Sequence, residues 1–270
     1  LCCGAFSDKW YGVAQSCGKD AEKIQVEWGE AIDPEAVRAK LAEGGFDTVT
    51  MAHNETSTGV MNDLAGIAAV VNEFPDVLLV VDTVSSLSAV PVEMDKLGID
   101  VVLAGVQKAL ALPPGLAVFA ISEAALERAS TTEGRGYYFD FCEFEKNTVK
   151  NNTPSTPAIS LLYALKQKVD SIAEEGLEAR FARHAKLNAM IHTWMAKHGF
   201  ENFAPVGFQS KSLTAIDNTG GRLDVPAFIK ALRAKHNVLI NGGYGKIKGA
   251  TFRISNMGNE TEETMQTLID

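Results

Sequence analysis

VLLVVDTVSSLSAVPVEMDKLGIDVVLAGVQK, residues Val77 to Lys108, decides how this chain folds. Val77 to Val81 is an unbroken apolar run; Asp100 to Ala104 (DVVLA) and, further on, Leu116 to Ile121 (LAVFAI) read alike. Strands this apolar must be covered on both faces, which is the condition of a parallel or mostly parallel sheet lying between helices. Working outward, Thr48 to Met51 is a β-branched run, Pro34 to Glu43 predicts a helix behind a possible Asp33 cap, and Leu64 to Phe74 has helical spacing. In open α/β sheets ligands sit beyond the carboxyl ends of the strands. That rule singles out His53 to Thr58, Asp82 and Lys108.

Tyr137 to Asn152 mixes aromatic and charged residues without a clear period, and Thr153-Pro154-Ser155-Thr156-Pro157 predicts a turn or extended segment. Ile159, Leu162, Leu165, Val169 and Ile172 then mark an amphipathic helix, and a second spans about Glu174 to Lys197. The remainder reads as a small α+β unit: strands at Leu213–Ile216, Val238–Ile240 and Thr251–Ser255, with a helix over Pro226–Lys235. The expected organisation is a large unit over residues 1–173 and a smaller one over 174–270, divided near Ile172 to Gly176.

With 270 residues, 46% of them hydrophobic, the chain can fill a sizeable core. A formal net charge of −9 with no lysine/arginine run argues against a nucleic-acid partner. No apolar run approaches the length that spans a bilayer. Cys2, Cys3, Cys17 and Cys142 show neither CxxC nor zinc-finger spacing, so they read as reduced thiols of a cytoplasmic protein with no metal site. The five histidines form no ligand spacing. Leu1-Cys2-Cys3 lacks the basic start and long apolar run of a signal peptide, and Glu260 to Asp270 reads as a helix stopped in mid-pattern. Both ends look cut, and the expectation is a fragment.

Asp82 directly follows a buried strand, where a carboxylate is costly to desolvate without a cationic partner; alone, it reads equally as a cap or turn residue for Thr83 to Ser86. Lys108 ends the next strand pattern among apolar neighbours. A lysine in such a site loses basicity and becomes a usable nucleophile, although a surface lysine with its stem over apolar groups fits the local sequence too. Taken together, an acid and a lysine at the carboxyl ends of strands in one sheet can face one crevice. Pyridoxal phosphate needs that pair: the acid keeps the pyridine nitrogen protonated, and the lysine forms the Schiff base and shuttles the proton.

At this point the residues resemble a family. The stretch VVDTVSSLSAVPVEMDKLGIDVVLAGVQKALALPPGLAVFAIS looks like the core of the class V pyridoxal-phosphate-dependent aminotransferases, in their alanine–glyoxylate, serine–glyoxylate and serine–pyruvate group. GAFSDKW (Gly4–Trp10), HNETSTGV (His53–Val60), TPSTPAISLLYAL (Thr153–Leu165) and GYGKIKGATFRISNMG (Gly243–Gly258) agree as well, so the likeness covers nearly the whole chain. It implies the type I fold of pyridoxal-phosphate transferases and a homodimer. It implies Lys108 as the Schiff-base lysine and Asp82 as partner of the pyridine nitrogen. Phe6 would stack on one face of the cofactor and Val84 touch the other, Thr56 would lie near the phenolic oxygen, and Gln107 would contact the phosphate side. Ser155, or Thr156 if the alignment slips, would reach the phosphate of the neighbouring subunit. Arg253 would grip the substrate carboxylate, a task suited to its fork, whereas its local sequence alone fits an arginine in a polar edge strand.

The chain departs from the family by lacking the preceding segment, which in that family supplies a phosphate-binding turn at a helix N-terminus. The implied reaction moves an amino group from alanine, serine or aspartate to glyoxylate or pyruvate, with ping-pong kinetics. A cysteine desulfurase or another lyase of the same fold is an alternative. Those enzymes usually carry histidine before the lysine and a loop cysteine, where this chain has Gln107 and an unsigned Cys142. A non-catalytic dimerisation module and a dinucleotide-binding protein are further alternatives. For the last, no GxGxxG follows a strand, and Gly242-Gly243-Tyr244-Gly245 does not open a helix.

Overall fold

The computed structural model describes residues 1–270. In chain order, α1 (Ala5–Ser16) and α2 (Pro34–Leu41) precede β1 (Thr48–Ala52), the short strands β2 (Asn54–Glu55) and β3 (Val60–Met61), and α3 (Leu64–Val71). β4 (Leu78–Asp82), α4 (Met94–Leu97), β5 (Val101–Gly105), β6 (Ala117–Ile121), α5 (Glu123–Thr131) and α6 (Phe141–Thr148) follow. The long helices α7 (Ile159–Glu175) and α8 (Leu177–His198) lead to β7 (Leu213–Asp217), α9 (Val225–His236), β8 (Asn241–Gly242), β9 (Thr251–Ser255) and α10 (Glu262–Ile269).

The central sheet has the order β1-β4-β5-β6, with β1, β4 and β5 parallel and β6 antiparallel at one edge. It is therefore mixed but mostly parallel, with helices on both faces; β6, whose apolar run predicted a strand covered on both faces, is instead the largely exposed antiparallel edge, where only one neighbour strand shields it. Alternation along each strand sorts the side chains. Val49, Met51, Leu79, Val81 and Val102 point one way into a core shared with Val37 and Leu41 of α2 and Ile67, Val70 and Val71 of α3. Cross-strand partners share a face, so Ala52, Asp82, Leu103 and Phe119 lie together on the other. There Phe119 meets Phe141 and Phe144 of α6, and Trp10 of α1 reaches Asp82. A one-residue slip of β4 would bury Asp82 in the apolar core.

Side-chain caps fix several helix starts. Asp33, Asp63, Ser122, Asp140 and Asp224 each accept a backbone N–H at the N-terminus of α2, α3, α5, α6 and α9. The cap of α1 comes from elsewhere in the chain. Glu55, fully buried, accepts N–H groups from Phe6 (3.1 Å) and Ser7 (2.9 Å), and hydroxyls from Ser7 (2.9 Å) and Ser57 (2.7 Å). Gly4 is required there by close approach, since a Cβ would fall 2.4 Å from the Glu55 Cγ.

The second sheet, β7-β9-β8, is antiparallel. Leu187, Ile191 and Met195 of α8 recur at four-residue spacing and pack on Ile216, Phe252 and Ile254, with Val225 of α9 and Met265 of α10. Because Phe252 and Ile254 face this core, Arg253 between them faces out of it. Two local expectations need correction. The strand expected at Val238–Ile240 lies instead at Asn241–Gly242, because Ile240 is buried in the core while the next two residues pair with β9. Tyr137 to Asn152, read as irregular, contains α6, whose Asp140 cap and aromatic packing on Phe119 supply what the mixed composition hid. No helix is long and apolar enough to cross a membrane.

Candidate active site

Asp82 ends β4, and its carboxylate receives two donors: the indole N–H of Trp10 on Oδ2 (3.0 Å) and the Val84 backbone N–H on Oδ1 (2.8 Å). Burial pushes its pKa up, opposed by those two hydrogen bonds; the Glu55 charge adds to the rise and the Lys108 charge opposes it. Lys108 lies half-buried three residues beyond β5. Burial lowers its pKa, the Arg253 charge lowers it further, and Asp82 works the other way. No hydrogen bond contributes to that balance, so its amine is held by packing and field alone. The two residues expected to face one crevice therefore lie within reach of each other's charge, and the Arg253 charge bears on Lys108 as well.

Arg253 reaches the cleft from the second sheet. Its Nε donates to Gly242 O (3.1 Å) and its Nη1 to Thr56 O (3.0 Å), which aims the fork across the two sheets and leaves Nη2 without a protein acceptor. Burial lowers its pKa while Glu55 and Tyr244 raise it. Thr56 bonds Ser85 through their hydroxyls (2.5 Å), and Ser85 O accepts from Ser212 Oγ (2.6 Å) and Asn54 Nδ2 (3.4 Å). The HNETSTGV segment is thus the strap on which the two sheets meet. Gly59, at φ 75, belongs to it for two reasons: the left-handed backbone, and a Cβ that would lie 2.9 Å from Ala215 Cβ.

Phe6, in the first turn of α1, stacks on Tyr244 with centroids 5.4 Å apart, and Lys9 Nζ lies over both rings. Val84 is half-buried two residues beyond Asp82. Asp82, Lys108, Thr56 and Arg253 are connected through bonds or charge, and Phe6 is tied to Thr56's neighbour Glu55. Three expected residues are not drawn in. Gln107 is exposed, with its amide folded against Gly105. Ser155 and Thr156 are exposed in the loop between α6 and α7, where the Ser155 carbonyl accepts from Thr153 Oγ1 (2.7 Å).

Sequence reasoning gave no role to Trp10, Glu55 or Ser85, although Glu55 lies inside the strand-end segment His53–Thr58 and Trp10 inside GAFSDKW. An indole in an otherwise polar helix turn needs a partner for its N–H. His53 was placed near the site, and it is buried there with Nδ1 unpartnered. Burial brings its pKa down from an ordinary 6.5 to about 4. Because the folded value is depressed, the unfolded chain takes up the proton first as pH falls. The contribution of this one group to stability is fully present above about pH 6.5 and is lost toward pH 4, by roughly 3 kcal/mol. Urea midpoints between pH 7.5 and 4.5 should show that fall, and His53→Asn should flatten it; an equal slope in the variant would remove His53 as the cause.

The geometry has counterparts among known proteins. An uncharacterized aminotransferase of Methanocaldococcus jannaschii is 36% identical over 258 residues, covering 94% of this chain and 66% of its own length. The soluble hydrogenase 42 kDa subunit of Anabaena cylindrica is 34% identical (94% and 67%). The serine–glyoxylate aminotransferase of Methylorubrum extorquens is 33% identical (96% and 67%). The chain thus spans about two thirds of the length of these relatives. A crystal structure of an alanine–glyoxylate aminotransferase from Nostoc sp. superposes with a TM-score of 0.93 at 30% identity, over 99% of this chain and 71% of that one. The aminotransferase class V model matches residues 5–264, a span that takes in the Glu55-capped helix, both strand-end residues and the arginine of the second sheet, and the chain belongs to that family.

Proposed function

We propose that this chain catalyses transamination between a small amino acid (alanine, serine or aspartate) and a small 2-oxo acid (glyoxylate or pyruvate). One observation carries the reading: Asp82 at the end of β4, Lys108 just beyond β5 and Arg253 on β9 lie close enough for the charges of the first and last to bear on the Lys108 amine. Class V aminotransferases use pyridoxal 5'-phosphate, and the residues fit it. The Asp82 carboxylate keeps acceptor capacity beyond its two donors, enough for a ring N–H, and Lys108 is an amine with no competing hydrogen bond. Phe6 and Val84 supply apolar surface for the two faces of a ring. The N-terminus of α1 is already filled by Glu55, so the phosphate goes elsewhere. Gln107 is the group of this chain assigned to its side, and Ser155, or Thr156, is assigned to the neighbouring subunit of a homodimer.

When bound, the cofactor supplies an electron sink for the pair released at the substrate Cα. The chain's own residues do the rest. Arg253 orients the substrate carboxylate through its fork, Thr56 presents its hydroxyl to the ring edge, and Asp82 holds a proton at the ring nitrogen. Lys108, less basic than an ordinary lysine, takes the proton from Cα and returns it. The division into units 1–173 and 174–270, and a reducing cytoplasmic setting for the four unpaired thiols, complete the proposal. A desulfurase gains nothing from Cys142, which lies in the first turn of α6 with its N–H bonded to Asp140 rather than on a loop.

The test is a panel of alanine, serine and aspartate against glyoxylate and pyruvate, with the chain loaded with cofactor. At least one pair should give parallel double-reciprocal lines. Cofactor retained with no amino transfer from any donor would end the proposal.

A further inference from the structure

A cluster at the junction of α7 and α8 has no part in the roles given above. Arg180, in the first turn of α8, is only 2% exposed and is among the largest fully buried side chains. Its Nε donates to Ser88 O (3.0 Å) and Ser88 Oγ (2.7 Å), Nη1 to Glu175 Oε2 (2.8 Å) and Nη2 to Ala109 O (2.6 Å). Glu175 stays ionised, since Arg183 and then Arg180 bring its carboxyl down to about 2. Arg183 extends the cluster to Gly258 O and Glu260 O. One turn along α8, His184 accepts the Gly258 N–H on Nε2 (3.1 Å), so its Nδ1 carries the proton that bonds Arg180 O (2.8 Å).

An interior guanidinium loses its hydration, and such pairs are weak evidence of stabilisation by themselves. What distinguishes Arg180 is where its donors go. Ser88 closes the turn that follows Asp82, and Ala109 follows Lys108. Both turns hold a non-glycine residue in the left-handed region, Ser88 at φ 72 and Ala111 at φ 55. Backbone of that kind persists only where its surroundings over-determine it. At Ser88 the surroundings are the turn's own backbone bonds, Ala89 N–H and Val90 N–H on Ser86 O, together with Arg180, which takes both the Ser88 carbonyl and its hydroxyl. In the other turn Ala111 N–H closes on Lys108 O (2.8 Å) and Leu112 N–H on Val106 O (3.0 Å), while Arg180 grips the carbonyl between.

We propose that Arg180 is a positioning residue that ties the turn following Asp82, at Ser88, to the turn that holds Lys108, at Ala109, and so helps fix where the Lys108 amine lies relative to the sheet-held Asp82 carboxylate. The inference rests on the roles proposed for Asp82 and Lys108. It adds to the β4–β5 pairing a second tie between the two segments, made from α8.

The experiment follows amide hydrogen exchange of the full chain without cofactor, and the dissociation constant for added pyridoxal phosphate. Arg180→Met keeps an unbranched apolar stem and removes the donors. It should speed exchange about tenfold or more in residues 83–90 and 106–112 together, leave β7 and α9 unchanged, and weaken cofactor binding about tenfold or more. Arg180→Lys, whose single ammonium cannot reach all four acceptors, should act in the same direction. Ser88→Ala should speed exchange about threefold or more in 83–90 alone. A change in one turn only for the Arg180 variants, an even rise over the whole chain, or cofactor affinity within about twofold of the parent would overturn the clamp. If Arg180→Met does not fold, Arg180→Lys and Ser88→Ala decide by the same criteria. Cofactor attached to another lysine in the parent chain would sink the site assignment instead, and the two-turn exchange result would still judge the clamp.

Discussion

Lys108→Ala should fold normally and turn over at least about 10⁴-fold more slowly, because it removes both the attachment point and the base that moves the proton. The usual objection to such a variant is that a lost side chain destabilises the protein. Here the physics runs the other way. Burial and Arg253 depress the Lys108 pKa in the folded chain. A depressed amine means that the unfolded chain holds its proton more firmly over the range below the ordinary lysine value near 10.5. At neutral pH the ionised amine therefore favours unfolding, and replacing it should leave the thermal midpoint equal or higher. Turnover and midpoint measured together check this. Activity within about tenfold of the parent, or a loss that merely follows collapse of the fold, would refute the role.

Asp82→Ala should slow the half-reaction by about 10²- to 10³-fold, the usual effect of removing a pre-placed charge from a site sheltered from water. Its stability effect also has a predictable sign. Burial raises the Asp82 pKa above its ordinary 3.8 despite the Trp10 and Val84 donors. An acid with a raised folded pKa favours the fold while protonated and loses that contribution as pH climbs through the folded value. At neutral pH the ionised form is a cost to the fold. Asp82→Asn, which keeps the shape, should lose turnover while unfolding at the same temperature as the parent or above. A variant that unfolds several degrees earlier with near-normal turnover would assign Asp82 to structure. Both residues thus sit where function and stability pull apart, which is the expected mark of an active site.

Much of this was legible in the sequence, for a physical reason. The strands are apolar on both faces, so the mostly parallel sheet between helices follows from composition, and the strand-end rule then points to Asp82 and Lys108. Arg253 was visible only by resemblance, although its place between Phe252 and Ile254 fixes which way it faces once the strand is known. The supporting bonds were not legible because they join distant residues. Glu55 meets Ser7 across 48 positions, Trp10 meets Asp82 across 72, and Arg180 meets Ser88 across 92. No local period encodes such pairings. The shifted strand β8 shows the opposite limit: Val238-Leu239-Ile240 carries the β-propensity, while Asn241-Gly242 carries the hydrogen bonds.

The most direct measurement is reduction of the pyridoxal-phosphate-loaded chain with borohydride, followed by peptide mapping of the modified lysine. The account predicts a single label on Lys108, absent from Lys108→Ala. A label on another lysine, or one that persists in that variant, would contradict it.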